Sequence, residues 1–371
     1  MKISRLGASV AVLTALSLGL TACAANEAPP SGTPGSTSNA GPALSGQLTG
    51  IGASSMASAQ ETWSAEFQTK NSGVTINYSP DGSGAGREAF AGGGADFAGS
   101  DRALKAEEAL AAALGSSRCA PDTNAIDLPV YISPIAIIFN LEGVTDLNLD
   151  ASTVAQIFSG KITKWNDPKI AGQNDGVTLP DANITAVHRA DDSGTTENFT
   201  DYLNVLAPAD WPHEPDGVWP IKGGEAAPQT SGMVDAVTNG TGTIGYADAS
   251  RAGDLGVAKI KVGEEYVEYS PEKAAAVVEE SPLDTEGGRS EHDLAVKLDR
   301  KATGDVYPIV LVSYAIACEK YQDAKTAELV KAYLGYIASS EGQSAAAEKA
   351  GAAPLSSELS TKVAASIAAI S

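Results

Sequence analysis

Two long β-rich apolar runs constrain this chain more than any other feature: "AIDLPVYISPIAIIFNL" at residues 125–141 and "DVYPIVLVSYAIACE" at 305–319. The first is broken by Pro129 and Pro134, and the second carries Pro308. A single strand should not hold two internal prolines, because each lacks the N–H that a β-ladder needs. The first run therefore reads as a crossing between two lobes and the second as the return. Two crossings imply a first lobe made from both chain ends, with a second lobe inserted between them. Around these runs, strand-like stretches alternate with helical patterns. "QLTGIG" precedes "SAQETWSAEFQTK", where Trp63 and Phe67 lie one helical turn apart. "VTINYS" alternates Val74, Ile76 and Tyr78 before "DGSGAG" turns into "REAFAGG", and "ADFAGSD" leads to the helix-like "AEEALAAALG". This rhythm predicts an α/β architecture.

The chain begins with Lys2 and Arg5, then the apolar run "VAVLTALSLGL", too short for a membrane span, and reaches "LTAC" at residues 20–23. That order predicts an export signal over residues 1–22. Leu20, Thr21 and Ala22 directly before a cysteine resemble a bacterial lipobox, which makes Cys23 the acylated first residue; a simple secretory signal is the alternative. Cleavage leaves 371 − 22 = 349 residues and takes the formal charge from −21 to −23. Such a chain repels nucleic acid, and any anion it binds has to be held by local donors against the field of the whole protein. Residues 23–46 are rich in Pro, Gly, Ser and Thr and read as a flexible tether. The expected divisions are lobe I over 47–131 and 306–371, and lobe II over 132–305. Cys119 precedes the first crossing and Cys318 follows the second. In an exported protein they are expected to pair, with two buried thiols as the alternative.

Several catalytic readings fail. "DSGT" at 192–195 resembles the turn of an aspartic protease, but that chemistry needs two such turns and the chain has one. "GTGTIG" at 240–245 follows a helical pattern and precedes a strand, the reverse of a dinucleotide site. His188, His213 and His292 lack ligand partners at metal spacing, and none stands recognisably near a serine. No catalytic residue, metal or cofactor is therefore expected.

What remains is a set of similar turns: "GASSMAS" (52–58), "DGSGAGR" (81–87) and "DDSGTTE" (191–197). Each puts hydroxyls and glycine between a strand and a helix. Ordinary N-capping would explain any one of them. Three in one α/β chain, one following Arg189, point to helix N-termini that together hold a compact oxyanion.

With "LTGIGAS", "DGSGAG", "DFAGSD", "IFSGKITKWNDP", "VHRADDSGTT" and "GTIGYAD" in this order, the chain resembles the phosphate-binding proteins that feed phosphate ABC transporters. The resemblance covers about residues 47–355. It implies a two-lobed periplasmic-binding-protein fold, with two hinge crossings and the ligand cleft between the lobes. The function implied is an extracytoplasmic receptor, not an enzyme, that captures inorganic phosphate and delivers it to the membrane permease and ATPase subunits. It would be anchored to the cell membrane by its N-terminal lipid, act as a monomer and bind no nucleic acid. The alternatives are a secreted phosphate-ester hydrolase or a receptor for another tetrahedral oxyanion.

Carried over position by position, the resemblance implies that Ser54, Ser55 through its N–H, and Ser83 contact phosphate from the first lobe. Asp101 would accept a proton from the ligand. Arg189, Ser193, the Gly194 N–H and Thr195 would complete the cage, with Asp191 holding Arg189. Asp101 could instead cap the helix after it. The chain departs from the family at Ser54-Ser55, where threonine and an aromatic are common, and at Asp192, where glycine is common. Asp192 adds a negative charge beside an anion and is expected to point to solvent. An ionised Asp101 would repel a fully ionised oxyanion by about 4 kcal/mol at about 4 Å. Phosphate keeps a proton at neutral pH and sulfate does not, so the same carboxylate that bonds one rejects the other.

Overall fold

A computed structural model describes residues 43–371. The expected signal, the Cys23 lipidation site and the tether as far as residue 42 lie outside the described residues. Among the described residues no helix is long and apolar enough to cross a membrane.

The chain builds β1 (Ser45–Gly52), α1 (Ala57–Lys70), β2 (Gly73–Ser79), α2 (Ser83–Ala91), β3 (Phe97–Ser100) and α3 (Ala106–Gly115), then enters the long β4 (Ala125–Asn140). Beyond it come β5 (Asp146–Leu149), α4 (Ala151–Phe158), α5 (Pro168–Ala171), β6 (Thr185–Arg189), α6 (Gly194–Leu206), β7 (Glu225–Ala227) and α7 (Gln229–Asn239). β8 (Thr243–Asp248), β9 (Gly256–Val262), β10 (Glu265–Val267) and α8 (Pro271–Glu280) follow. The chain returns through β11 (Val310–Cys318) and closes with α9 (Ala324–Ile337), α10 (Ser340–Ala350) and α11 (Ser357–Ala369).

The strands run in the order β2-β1-β3-β11-β4-β8-β6-β7, with β9 joining β4, β5 and β10. One lobe rests on β1–β3 and β11, the other on β5–β10, and β4 belongs to both. Its residues 125–134 pair with β11, and from Ile135 onward it pairs antiparallel with β8. The expectation that two prolines break this run is corrected, because β4 is one continuous strand. Pro129 sits beside a register shift against Ser313 and Tyr314, and Pro134 is the last β4 residue paired with β11 before the partner changes. Both prolines thus stand where the ladder is irregular or ends, which is where a missing N–H is tolerated. β8 and β11 are buried throughout, and one residue of β4 is not fully buried, as expected of strands covered on both faces.

Helix α2 also begins earlier than the sequence suggests, at Ser83, with Gly84 and Gly86 inside it. Gly86 is there for proximity rather than for a turn. A Cβ on it would stand 2.6 Å from the Gly52 Cα and from the Ile51 carbonyl oxygen, so only glycine lets α2 lie against the end of β1. On α1, Trp63 and Phe67 are buried as their spacing predicts, and the Trp63 indole donates to the Gly342 carbonyl on α10 at 2.7 Å. This fixes the late helices on the first lobe. Cys119 and Cys318 form the expected disulfide, with Cα atoms 5.3 Å apart across 199 residues. Closing so long a loop restricts the unfolded chain, for up to about 5 kcal/mol of stability.

Candidate functional site

The second-lobe wall takes its cage residues from one short stretch of chain, steadied by α7 and β8. β6 delivers Arg189, the chain turns through Ala190–Asp192, and α6 starts at Gly194. Ser193, in extended geometry, accepts the Thr196 N–H at 3.2 Å, so it caps α6 and satisfies one of the four unpaired N–H groups there. Thr195, on the first turn, is buried. The Arg189 guanidinium donates through Nε to Asp191 Oδ1 at 2.8 Å and through Nη2 to Asp191 Oδ2. The Gln229 N–H, at the start of α7, donates to the same carboxylate at 2.9 Å. Burial pushes the Asp191 carboxyl up, but the bonds and charge of Arg189, with the Gln229 N–H, outweigh it and hold it below the usual range. The Arg189 backbone is fixed as well: its N–H donates to the Tyr246 hydroxyl, which also bonds Thr196 Oγ1 at 2.8 Å. Burial pushes that phenol up to about 12.

The first-lobe wall comes from three separate segments. Ser54 and Ser55 lie between β1 and α1, Ser83 opens α2, and Asp101 follows β3. Asp101 joins them. Its Oδ1 accepts from the Ser55 hydroxyl at 2.6 Å and from the Ser313 hydroxyl, on β11, at 2.8 Å. Its own N–H donates to Ser83 Oγ at 3.1 Å.

The two walls meet at this carboxylate. The Thr195 hydroxyl donates across the cleft to Asp101 Oδ2 at 2.8 Å, and Asn198 on α6 donates to the Asp101 carbonyl at 2.6 Å and to the Gly194 carbonyl at 3.0 Å. Ser54 Oγ receives Arg189 Nη2 at 3.2 Å and the Thr230 N–H at 3.0 Å. Gly194 is required by this approach, since a Cβ there would lie 2.7 Å from both the Asp101 Cβ and Ser83 Oγ. All eight residues expected to contact the anion are thus brought to one interface between the lobes. Those with polar side chains are buried, Ser54 the most exposed at 7%.

Three details differ from the sequence reading. Asp101 does not cap the following helix: α3 starts five residues later behind Lys105. Asp192 keeps an exposed face, but it is not a free solvent-facing charge. Its oxygens accept from Arg87 Nη2 at 3.1 and 3.0 Å, so a cation that the sequence did not single out neutralises it. Ser313 and Asn198 also escaped notice. The first carried a signal, being the one serine in the apolar "VLVSYAIAC" of β11; the second had none. Among the described residues no group of three or more His, Cys, Asp or Glu is placed to hold a metal. His188 stacks flat on Trp219, with ring centroids 5.0 Å apart.

Chemically, the interface collects hydroxyls, the starts of α1, α2 and α6, a guanidinium braced by the Asp191 carboxylate, and a second carboxylate, Asp101, that pairs with no cation among the described residues. Helix N-termini and hydroxyls donate without carrying a full charge, so they stabilise an anion at low desolvation cost.

Comparison with known proteins gives the family and the fold. Residues 37–341 match the model of the PBP superfamily domain. A phosphate-binding protein PstS 3 of Mycobacterium leprae is 35% identical over 341 residues, 90% of each chain. A phosphate-binding protein PstS2 of Mycobacterium bovis is 34% identical over 386 residues, spanning both chains completely. Among solved structures, a phosphate-binding protein of Stenotrophomonas maltophilia superposes with a TM-score of 0.66 at 20% identity, covering 86% of this chain and 94% of that one.

Proposed function

The chain belongs to the phosphate-binding proteins of the PBP superfamily, and on that premise we propose that it captures inorganic phosphate between its lobes and hands it to an ABC permease. Ser54, the Ser55 N–H, Ser83, Arg189, Ser193 and the N–H groups of Gly194 and Thr195 donate to the phosphate oxygens. Asp191 holds Arg189 flat and oriented. Asp101 accepts the ligand's proton. The protein works outside the cytoplasm as a monomer, held to the membrane by a lipid on Cys23, and it catalyses nothing.

The observation that carries this reading is the coordination of Asp101. An ionised carboxylate offers about four lone-pair sites. Hydroxyls of Ser55, Ser313 and Thr195 take three of them, and the fourth suits the P–OH of a protonated oxyanion. Sulfate brings no proton to that position and meets the carboxylate charge uncompensated.

Titration calorimetry with phosphate and with sulfate, beside an assay with a chromogenic phosphate ester, tests the proposal. Stoichiometric binding of phosphate, weak or absent binding of sulfate and no turnover are expected. Turnover of the ester, or equal affinity for sulfate, would overturn it. Intact-mass analysis of the membrane-extracted protein tests the anchor, which requires a diacylglycerol-modified Cys23 as first residue.

A further inference from the structure

Four charged side chains border the cage without belonging to it. The first lobe contributes Arg87 and Arg102, and the second contributes Asp192 and Glu197. Arg87 stands one helical turn after Ser83 on α2, and Arg102 directly follows Asp101. Asp192 directly precedes Ser193, and Glu197 lies in the first turn of α6. Each is therefore placed by the same short segment that carries a cage residue.

Their contacts run across the cleft. Arg87 Nη2 donates to both oxygens of Asp192, while its Nη1 donates to Ser100 Oγ at 3.1 Å. Arg102 Nε lies 2.9 Å from a Glu197 oxygen, and its other nitrogens hold Glu108 on its own lobe at 2.6 and 3.1 Å. Backbone follows side chain: the Gly84 N–H donates to the Asp192 carbonyl at 3.1 Å. A Cβ on Gly84 would fall 2.5 Å from the Asp192 Cβ, so the loop can close this far only onto glycine.

We infer that these two ion pairs form an interlobe latch that sets how fast bound phosphate escapes. The inference rests on the phosphate-receptor reading above. Surface ion pairs contribute little as a rule, yet two features set these apart. The guanidinium groups are largely buried, with side-chain exposures of 9% for Arg87 and 16% for Arg102. The charges are also segregated, with both cations on one lobe and both carboxylates on the other. Separating the lobes must break both pairs and leave Arg87, Asp192 and Glu197 to be hydrated again, Arg102 keeping Glu108 on its own lobe, while a cleft that stays shut loses nothing. The latch also answers an electrostatic problem of the cage. Asp192 would by itself repel the anion beside Ser193, and Arg87 cancels that charge only when the lobes are together. Closure and anion retention are thereby linked.

The test is stopped-flow release of phosphate from the full-length protein and its variants, at ionic strengths from roughly 20 mM to 0.5 M, a range across which screening becomes strong. Asp192→Asn and Glu197→Gln should each speed release about two- to fivefold. Arg87→Gln should speed it about tenfold, because Asp192 then stays unpaired beside the bound anion. The double variant Arg87→Gln/Asp192→Asn should release no faster than Arg87→Gln alone, since one interaction cannot be lost twice. Salt should accelerate release from the wild type and act less on the variants. Lys362→Gln, which removes a pair with Glu358 within α11, should change nothing. Wild type that binds phosphate while all latch variants release it at the wild-type rate, with the same salt response, would overturn the latch alone. Multiplicative effects in the double variant would overturn the pairing. Wild type that binds no phosphate would sink the receptor reading, and the latch with it.

Discussion

The two walls of the cleft are built by opposite strategies. In the second-lobe wall, Arg189, Asp191, Ser193, Gly194 and Thr195 come from seven consecutive residues, and its principal bonds join neighbours two or three positions apart. The first-lobe wall draws on three segments between Ser54 and Asp101 and borrows Ser313 from β11. The Ser313–Asp101 bond spans 212 positions. One wall carries its cage residues on a single strand–turn–helix unit, steadied by Gln229 and Tyr246 of its own lobe, and the other exists only when the first lobe is complete. If the interface holds phosphate as proposed, the two walls divide the work, one supplying the cation and a helix end and the assembled one supplying discrimination.

The sharpest way to break the comparison is Asp101→Asn. If discrimination resides in the first-lobe wall, this change should cost phosphate about 1 kcal/mol. It should remove up to about 4 kcal/mol of preference over sulfate, the repulsion expected for one charge near another. Competitive calorimetry measures both, and unchanged selectivity would place discrimination elsewhere. Arg189→Ala attacks the other wall. It removes the cage's guanidinium and strands Asp191, so phosphate affinity should fall by about 3 kcal/mol, with the phosphate-to-sulfate ratio little altered. A change in that ratio as large as that of Asp101→Asn would erase the division of labour. Gly194→Ala tests the meeting of the walls. The new methyl must push against the Asp101 Cβ and Ser83 Oγ, each 2.7 Å from its position. Closure should then cost about 2 kcal/mol, with phosphate and sulfate weakened alike.

The same contrast explains what the sequence disclosed. "RADDSGTT" could be read almost whole, because its capping serine, its arginine and the aspartate that braces it are neighbours in the chain. The hydroxyls of the first wall announced themselves as strand–turn–helix loops, but their partners did not. Asn198 reaches Asp101 across 97 positions, Arg87 reaches Asp192 across 105, and Ser54 reaches Thr230 across 176. No local pattern encodes such pairs. Asp192 was therefore expected to point to solvent, since the cation that holds it lies on another lobe. The fold shows the same boundary. Hydrophobic alternation and helical spacing located the early strands and helices, and the cysteines paired as expected. Pro129 and Pro134 do not break β4 as their type predicts, because whether a proline breaks a strand depends on what lies alongside it, here a register shift and a change of partner. The sequence pattern makes the glycines of α2 a turn, whereas Gly84 and Gly86 both serve close packing.

The smallest expected effect probes whether the second-lobe wall is braced in advance of binding. Asp191 has a carboxyl held below its usual range in the fold. A carboxyl whose folded value is depressed contributes stability that is complete above its unfolded value, near pH 3.9, and is lost as pH falls through the lower folded value. At neutral pH, Asp191→Asn should therefore cost the protein about 1 kcal/mol, the worth of one charge-assisted bond at a partly exposed site. That difference from wild type should hold unchanged down to about pH 4 and shrink only below it. Denaturant unfolding without phosphate, at a series of pH values, reads it directly. The measurement excludes the ligand by design, so a cost that appears only once phosphate is added would mean that Arg189 is positioned by binding, and that the second-lobe wall is no more prebuilt than the first.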